Sequence, residues 1–338
     1  MPHMASDQSK ATHQTDLIII GAGPAGLFAA YYAGFRGMKV AVVDSLPELG
    51  GQISAMYPEK KVLDVAGFPS ILGRELVAGL VEQAASADPT YFLDCTATGL
   101  ESGEDEVTIT LEDGRKLISK AVIITAGIGR FTPRPLPAAN DWQGDDVVFF
   151  VKSFEDFKDQ DVVIVGGGDS AFDWAHHLEG ISRSTALVHR RDAFRAHQAT
   201  VDAVMAGSTE VITKAQVVEL HGDPSAAGGT LEKVSIKLVD GTTEERPAQK
   251  VIAALGFVAD LSAMREWGLE IDQRQIKVDT DMRTTLDRVF AAGDITDYPG
   301  KVRLIAVGFG EAATAVNNAA PLIFPGQSVF PGHSSEGS

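Results

Sequence analysis

The apolar positions of this chain fall into short runs, and several of them stop at glycine. Leu17-Ile18-Ile19-Ile20 is the first and enters Gly21-Ala22-Gly23-Pro24-Ala25-Gly26. A continuous apolar run rich in β-branched residues predicts a strand buried on both faces, as in a parallel sheet. The stretch from Leu27 to Ala33 predicts a helix behind it, and Lys39 to Val43 a second strand ending at Asp44. Glu75 to Ala85 reads as a surface helix. From Glu106 to Ile118 the pattern changes to alternation around Asp113-Gly114, which predicts a hairpin. Ala121 to Gly127 is a third buried strand. Phe131 to Pro137 holds three prolines, so a connector or domain boundary falls there.

The opening pattern then repeats. Asp161-Val162-Val163-Ile164-Val165 enters Gly166-Gly167-Gly168-Asp169-Ser170-Ala171, and the next strand, Thr185 to Val188, ends in His189-Arg190-Arg191. Val211 to His221, Leu231 to Val239 and Val251 to Leu255 predict strands, with a turn at Asp240-Gly241 between the second and third. Gly256-Phe257 returns the chain to the first domain. Ile276 to Val278 and Val289 to Ala292 are short strands, the latter stopping at Gly293-Asp294. Leu304 to Ala320 predicts an alanine-rich helix that ends before Pro321.

The two glycine turns carry the candidate chemistry. In G-x-G-x-x-G, Gly21 makes the tight turn, Gly23 admits a pyrophosphate to the backbone and Gly26 lets helix and strand pack closely. With Pro24 and Ala25 they form a cradle whose diphosphate sits on the free N–H groups of the helix. Asp44, close to the expected ~20 residues downstream, would accept the hydroxyls of an adenosine ribose and repel a 2′-phosphate. The second turn is G-x-G-x-x-A: Gly166, Gly168 and Ala171, with Asp169 and Ser170 between. Where the first site has an acid, this one has His189, Arg190 and Arg191, with Arg195 beyond. Guanidinium groups suit a phosphate dianion, so the pocket is expected to take NADPH over NADH; the bland alternative is a solvated basic turn. Between the sites, Gly51 admits close backbone approach, Gln52 offers donors and an acceptor, and Tyr57 presents an aromatic face. On residues alone Tyr57 reads better as half-buried core. His176 and His177 are adjacent on a helix and are expected at the surface.

Composition narrows this further. The chain has 338 residues, 44% hydrophobic and 22% charged, which suits two soluble domains. Its single cysteine, Cys95, excludes an intrachain disulfide, a C-x-x-C redox centre and a cysteine-based zinc site, and a cytoplasmic location is expected. A net charge of −17 argues against nucleic acid or anionic membranes as partners. Residues 1–15 are polar and expected to be a disordered tail.

Together with Ala291-Ala292-Gly293-Asp294, the two turns resemble the two-dinucleotide-binding-domain flavoprotein oxidoreductases, in the shape of low-molecular-weight thioredoxin reductases. Those enzymes carry a C-x-x-C in the NADPH domain; here Asp169 to Asp173 holds no thiol. The chain is more similar to thioredoxin-reductase-like ferredoxin–NADP(+) reductases. That resemblance is carried by Gly51 to Lys60, Asp64 to Pro69, Gly166 to Ala171, His189 to Asp192, Phe194 to His197 and Gly308 to Ala312, and it spans Asp16 to Ser335. It implies an α/β fold of two Rossmann-like dinucleotide-binding domains, three-layered, each with a parallel sheet and an antiparallel β-meander. An FAD-binding domain, 16–129 and 259–338, would enclose an NADPH-binding domain, 130–258. It implies FAD and NADPH as cofactors, hydride transfer from nicotinamide to flavin N5, single-electron transfer to ferredoxin or flavodoxin, and a homodimer.

Carried over position by position, Asp44 contacts the FAD adenosine, Gln52 the flavin and Asp294 the ribityl-phosphate. The helix after Asp294 aims its N-terminus at the flavin pyrimidine edge. Tyr57 stacks on one face of the ring and His333 covers the other, as the catalytic pair, while Ala97, Phe131 and Ser335 lie near the cofactor. Other readings stay open at this point: an NADPH-dependent reductase of a small disulfide, ferric chelate or quinone, and a non-catalytic flavin redox sensor, which would need only the first site.

Overall fold

A computed structural model describes residues 12–127, 130–224, 231–330 and 332. The chain forms two compact units: Met1–Ala55 with Lys60–Phe131 and Ala259–Ser338, and Met56–Glu59 with Thr132–Val258.

In the first unit a five-stranded sheet has the order Val289–Ala291, Ala121–Ile124, Leu17–Ile20, Val40–Val43, Thr90–Phe92, and every pairing is parallel. The pleat sends alternate residues to opposite faces, and both faces are covered. Leu17, Ile19, Val40, Val42, Ile123 and Phe290 pack in one core cluster with Leu27, Leu76, Leu80, Val316 and Ile323 of helices Pro24–Phe35, Gly73–Ala85 and Ile305–Ile323. Ile18, Ile20, Val43, Val122 and Ile124 form the other with Leu100, Val107, Ile109, Leu111 and Leu117. Those last residues come from a four-stranded sheet ordered Thr12–Gln14, Lys116–Ser119, Val107–Leu111, Ala97–Ser102, which contains the expected hairpin.

The second unit repeats the plan. Its parallel sheet runs Val147–Val148, Lys250–Ala254, Asp161–Gly166, Ser184–His189, Glu210–Thr213. Val162, Ile164, Leu187 and Ile252 pack in a core with residues of helices Asp169–Leu178 and Gln198–Ala206. Val163, Val165, Val188 and Val251 pack instead with Val217, Val234 and Ile236 of an antiparallel sheet, Gln216–His221, Lys233–Lys237, Thr243–Pro247. Each unit thus has a helical layer, a parallel sheet and a second layer built on antiparallel strands. Among the described residues no helix is long and apolar enough to cross a membrane.

Several elements differ from the expectation. Thr12–Gln14, placed in the tail, is a strand parallel to Lys116–Ser119. It is polar and occupies an edge, so its backbone satisfies the free hydrogen bonds of the hairpin without any apolar periodicity. The segment from Val211 to His221 is two strands in two sheets, separated at Lys214, whose φ of 52° ends the extended chain. Thr243–Pro247, which follows the Asp240-Gly241 turn, was not expected as a strand, because Thr-Glu-Glu-Arg-Pro has no apolar face. It is an edge strand held by ladder bonds and by ion pairs such as Lys233–Glu245 at 2.7 Å. Pro321 lies inside the last turn of its helix, which continues to Ile323. There it removes a single ladder bond, and the burial of Ala319, Ala320 and Ile323 holds the turn.

Candidate functional site

The parallel register of the first sheet brings strand ends together. Ile20, Val43 and Ile124 are in register, so Gly21, Asp44 and Thr125 follow them side by side at the carboxyl edge, with Gly293-Asp294 just past the strand beside Ile124. This edge is where open α/β sheets bind ligands. Gly21 has φ +112°, and a Cβ there would lie 2.7 Å from the Thr125 carbonyl carbon. A Cβ on Gly26 would come within 1.8 Å of the Gly21 oxygen. Gly51 faces Gly23, and a Cβ on Gly51 would sit 2.9 Å from the Gly23 Cα. The Asp44 carboxylate accepts the Ala22 N–H at 2.6 Å and the Leu46 N–H at 2.8 Å, one on each oxygen, leaving lone pairs for hydroxyl donors. Burial raises its pKa, and the two N–H groups oppose that shift.

The Gly293-Asp294 turn rests on the same cradle: a Cβ on Gly293 would lie 3.3 Å from the Ala25 Cβ. Beneath it, Glu311 accepts the Gly293 N–H at 2.7 Å and the Tyr298 hydroxyl at 2.6 Å, and forms an ion pair with Lys301. Lys301 Nζ also donates to the Gly293 carbonyl at 3.0 Å. Loss of hydration, then the bond to Glu311, pushes the Tyr298 phenol up to about 12. The Asp294 side chain is exposed at its tip but flanked by protein, and desolvation raises its carboxyl against the pull of Lys301 and Arg303. The helix Ile305–Ile323, expected to aim its N-terminus at a flavin edge, is capped from within the chain. Asp64 Oδ2 accepts the Ile305 N–H at 2.8 Å and its carbonyl the Ala306 N–H at 3.3 Å.

The second unit builds the same edge with different chemistry. Val165 pairs with Val188, so His189 stands where Asp44 stands in the first unit. The imidazole lies over the turn: a Cβ on Gly167 would meet it at 2.4 Å. Burial, then the neighbouring arginines, holds the His189 pKa below its usual value, against the opposing effect of a ring N–H donated to the Ala193 carbonyl. The Arg195 N–H donates to the Gly167 carbonyl at 2.8 Å and the His197 N–H to Asp169 Oδ1 at 2.8 Å, folding the arginine segment back over the turn. Asp192, the acid in this run, is paired with Lys214 at 2.8 Å. Arg190 and Arg191 are exposed and have no acidic partner among the described residues. A Cβ on Gly168 would meet nothing within 4 Å, so the second glycine opens onto free space.

A family model described as "Pyridine nucleotide-disulphide oxidoreductase" matches residues 15–319. The chain belongs to that family. It is 64% identical over 327 residues to a "Ferredoxin--NADP reductase" of Nocardioides sp. (strain ATCC BAA-499 / JS614), covering 96% of this chain and 97% of the relative. A protein of the same name from Frankia alni is 57% identical over 320 residues, covering 94% and 98%. Among solved structures, thioredoxin reductase from T. acidophilum is 26% identical with a TM-score of 0.74, covering 91% of this chain and 98% of that one. The Lactococcus lactis thioredoxin reductase is 26% identical with a TM-score of 0.73, covering 91% and 99%.

In this family member the structure gathers Gly21, Gly23, Pro24, Ala25, Gly26, Asp44, Gly51 and Asp294 at one sheet edge, and Gly166 to Ala171 with His189 to Arg195 at the other. Gln52 opens helix Gln52–Met56, and a Cβ on Gly127 would lie 2.8 Å from its Nε2. Ala97 begins a strand two residues after Cys95, whose N–H donates to the Asp44 carbonyl at 3.0 Å. Tyr57 is half-buried, but its segment, Met56–Glu59, groups with the second unit rather than the first. Phe131 belongs to strand Arg130–Pro133, of which its backbone alone is described, and His333 and Ser335 lie outside the described residues. His176 is exposed, whereas His177 is half-buried, stacked on Phe154 at 5.4 Å. The sequence reading missed Thr125, Lys301 and Asp64. Nothing in their spacing marks them, because their partners are distant in sequence or set by turns.

Proposed function

We propose that this chain is an FAD-dependent oxidoreductase that carries electrons between NADPH and ferredoxin, with flavodoxin as a second acceptor. One observation carries the reading. Two glycine-rich turns at equivalent sheet edges are followed by opposite charges, Asp44 in one and Arg190-Arg191 in the other. An acid selects an adenosine ribose with free hydroxyls, as in FAD, while guanidinium groups select the 2′-phosphate of NADPH. The names of the relatives at 64% and 57% identity support ferredoxin as the partner. The lone cysteine leaves no internal dithiol to take two electrons, so a thioredoxin-type relay does not fit.

The residues of the first unit fit FAD. Glycines stand where side chains would fill the cradle, Asp44 keeps acceptor capacity for ribose hydroxyls, and Asp294 is exposed just after Gly293, which lies against Ala25. When bound, the flavin supplies the chemistry, accepting a hydride and releasing single electrons. The protein's own part is to hold and orient. Gly23, Ala25 and the helix N-terminus would hold the diphosphate, Asp294 the ribityl-phosphate and Gln52 the flavin, and the family resemblance adds Tyr57 and His333 as the residues that would cover the ring. The same resemblance adds Ala97, Phe131 and Ser335 as further cofactor contacts. The family resemblance supports a homodimer working in the cytoplasm.

The test is anaerobic reduction of purified ferredoxin by NADPH with the holoenzyme. The protein is expected to be yellow, to release FAD on denaturation and to reduce the ferredoxin. Reduction of a ferric chelate or small disulfide, but of no ferredoxin or flavodoxin, would overturn the assignment.

A further inference from the structure

The peptide joining Gly293 to Asp294 is held in an unusual way. Its carbonyl accepts from Lys301 Nζ at 3.0 Å, Thr296 Oγ1 at 2.8 Å and the Thr296 N–H at 3.1 Å. Its N–H, that of Asp294, has no acceptor among the described residues. The Gly293 N–H donates to Glu311, which closes the ion pair with Lys301. The Lys301 and Glu311 side chains are only 5% and 4% exposed, so both charges are taken out of water. A neutral donor and acceptor would hold a turn at lower desolvation cost.

We propose that the buried Lys301–Glu311 pair is a positioning device for a phosphate of the bound dinucleotide, acting through the Gly293–Asp294 peptide. An ammonium on a carbonyl polarises the amide, and its N–H becomes a stronger donor to an anion. Glu311 neutralises the ammonium and fixes the preceding N–H, so the turn keeps one orientation. That turn lies against Ala25, in the first turn of the glycine helix, whose N-terminus also attracts an anion. Lys301 and Glu311 do not touch the ligand; they set the direction and strength of the Asp294 N–H. The inference rests on the reading of the first unit as an FAD site.

The experiment compares Lys301→Met, Glu311→Gln and the double variant, read by FAD release. Flavin fluorescence is followed as each holoenzyme is diluted, and circular dichroism and Tm check the fold. Each single variant leaves an unpaired buried charge and is expected to lower the Tm. The double variant removes both charges with little change of volume and is expected to recover the Tm while releasing FAD at least fivefold faster than the wild type. A folded double variant whose release rises less than fivefold overturns the proposal, because a merely structural pair is replaced once its charges are gone. If the double variant does not fold, Lys301→Gln with Glu311→Gln keeps a donor for the Gly293 carbonyl without either charge, and the same threshold decides. Lys301→Arg is expected to restore slow release. A wild-type protein that retains no FAD overturns the FAD reading itself, a different outcome from equal release in wild type and variants.

Discussion

His189 and Asp44 occupy one position in two copies of a motif, and they divide the work differently. The Asp44 carboxylate is aimed by the Ala22 and Leu46 N–H groups, which suits it to select an unphosphorylated ribose under the function proposed above. Burial first holds the His189 pKa below its usual value and its ring packs over Gly167, so under the proposed function the 2′-phosphate falls to the arginines. Replacing Arg190 and Arg191 together with alanine is therefore expected to lower kcat/KM for NADPH roughly tenfold or more. Each lost charge-assisted hydrogen bond is worth about 1.5–3 kcal/mol, and NADH carries no phosphate to lose one. Steady-state kinetics with both nucleotides check this; equal losses would mean that the arginines serve the fold. The acid and the arginine pair proposed as selectors stand out in the sequence because each follows its strand directly. The pairing of Asp192 with Lys214 does not, since Lys214 lies just past the next strand over.

At the scale of elements, the two strand–turn–helix units differ at the third small residue. Helix Pro24–Phe35 has Gly26 there and helix Asp169–Leu178 has Ala171. In the first unit a Cβ on Gly26 would lie 1.8 Å from the Gly21 carbonyl and 2.7 Å from Thr125 Oγ1. Thr125 is committed as well, donating to the Gly21 carbonyl at 2.9 Å. Gly26→Ala must push the helix off the strand, an overpacking cost of typically 1–3 kcal/mol. The expected result is a lower Tm with loss of bound flavin, whereas Ala171→Gly in the second unit is expected to cost only about 0.8–1 kcal/mol. Thermal melts and flavin content distinguish the two; equal costs would show that the helix is free to shift. Glycine spacing made both elements readable. The Thr125 atoms that leave no room for a Cβ at Gly21 or Gly26 come from just past a strand about a hundred residues away.

At the scale of the whole molecule, a net charge of −17 repels an acidic iron–sulfur partner, so a productive encounter needs local positive charge. Lys60 and Lys61 are exposed in the first unit, as are Arg134, Lys152 and Lys158 in the second. With a screening length of ~8–10 Å at moderate salt, short-range attraction governs docking once the partners are close. Added salt is expected to slow ferredoxin reduction, and Lys60→Glu with Lys61→Glu to lower ferredoxin-linked cytochrome c reduction while NADPH-to-ferricyanide turnover persists. If salt speeds the reaction and the reversals change nothing, these lysines are ordinary surface charges.

The sequence by itself determined what depends on local order. Continuous apolar runs made buried parallel strands, glycine spacing made the two turns, and an acid follows the second strand in one unit where a basic run follows it in the other. Tertiary structure alone decided what depends on backbone pairing and on charge meeting charge. Thr12–Gln14 and Thr243–Pro247 are strands only because a neighbouring edge offers hydrogen bonds to chains with no apolar pattern of their own. Asp64 caps a helix that begins at Ile305, and Lys301 meets Glu311 beneath Gly293 because a turn and the start of that helix fold them together. Such contacts leave no periodicity in the chain. They arise where desolvated polar groups must find partners, and the fold chooses which ones.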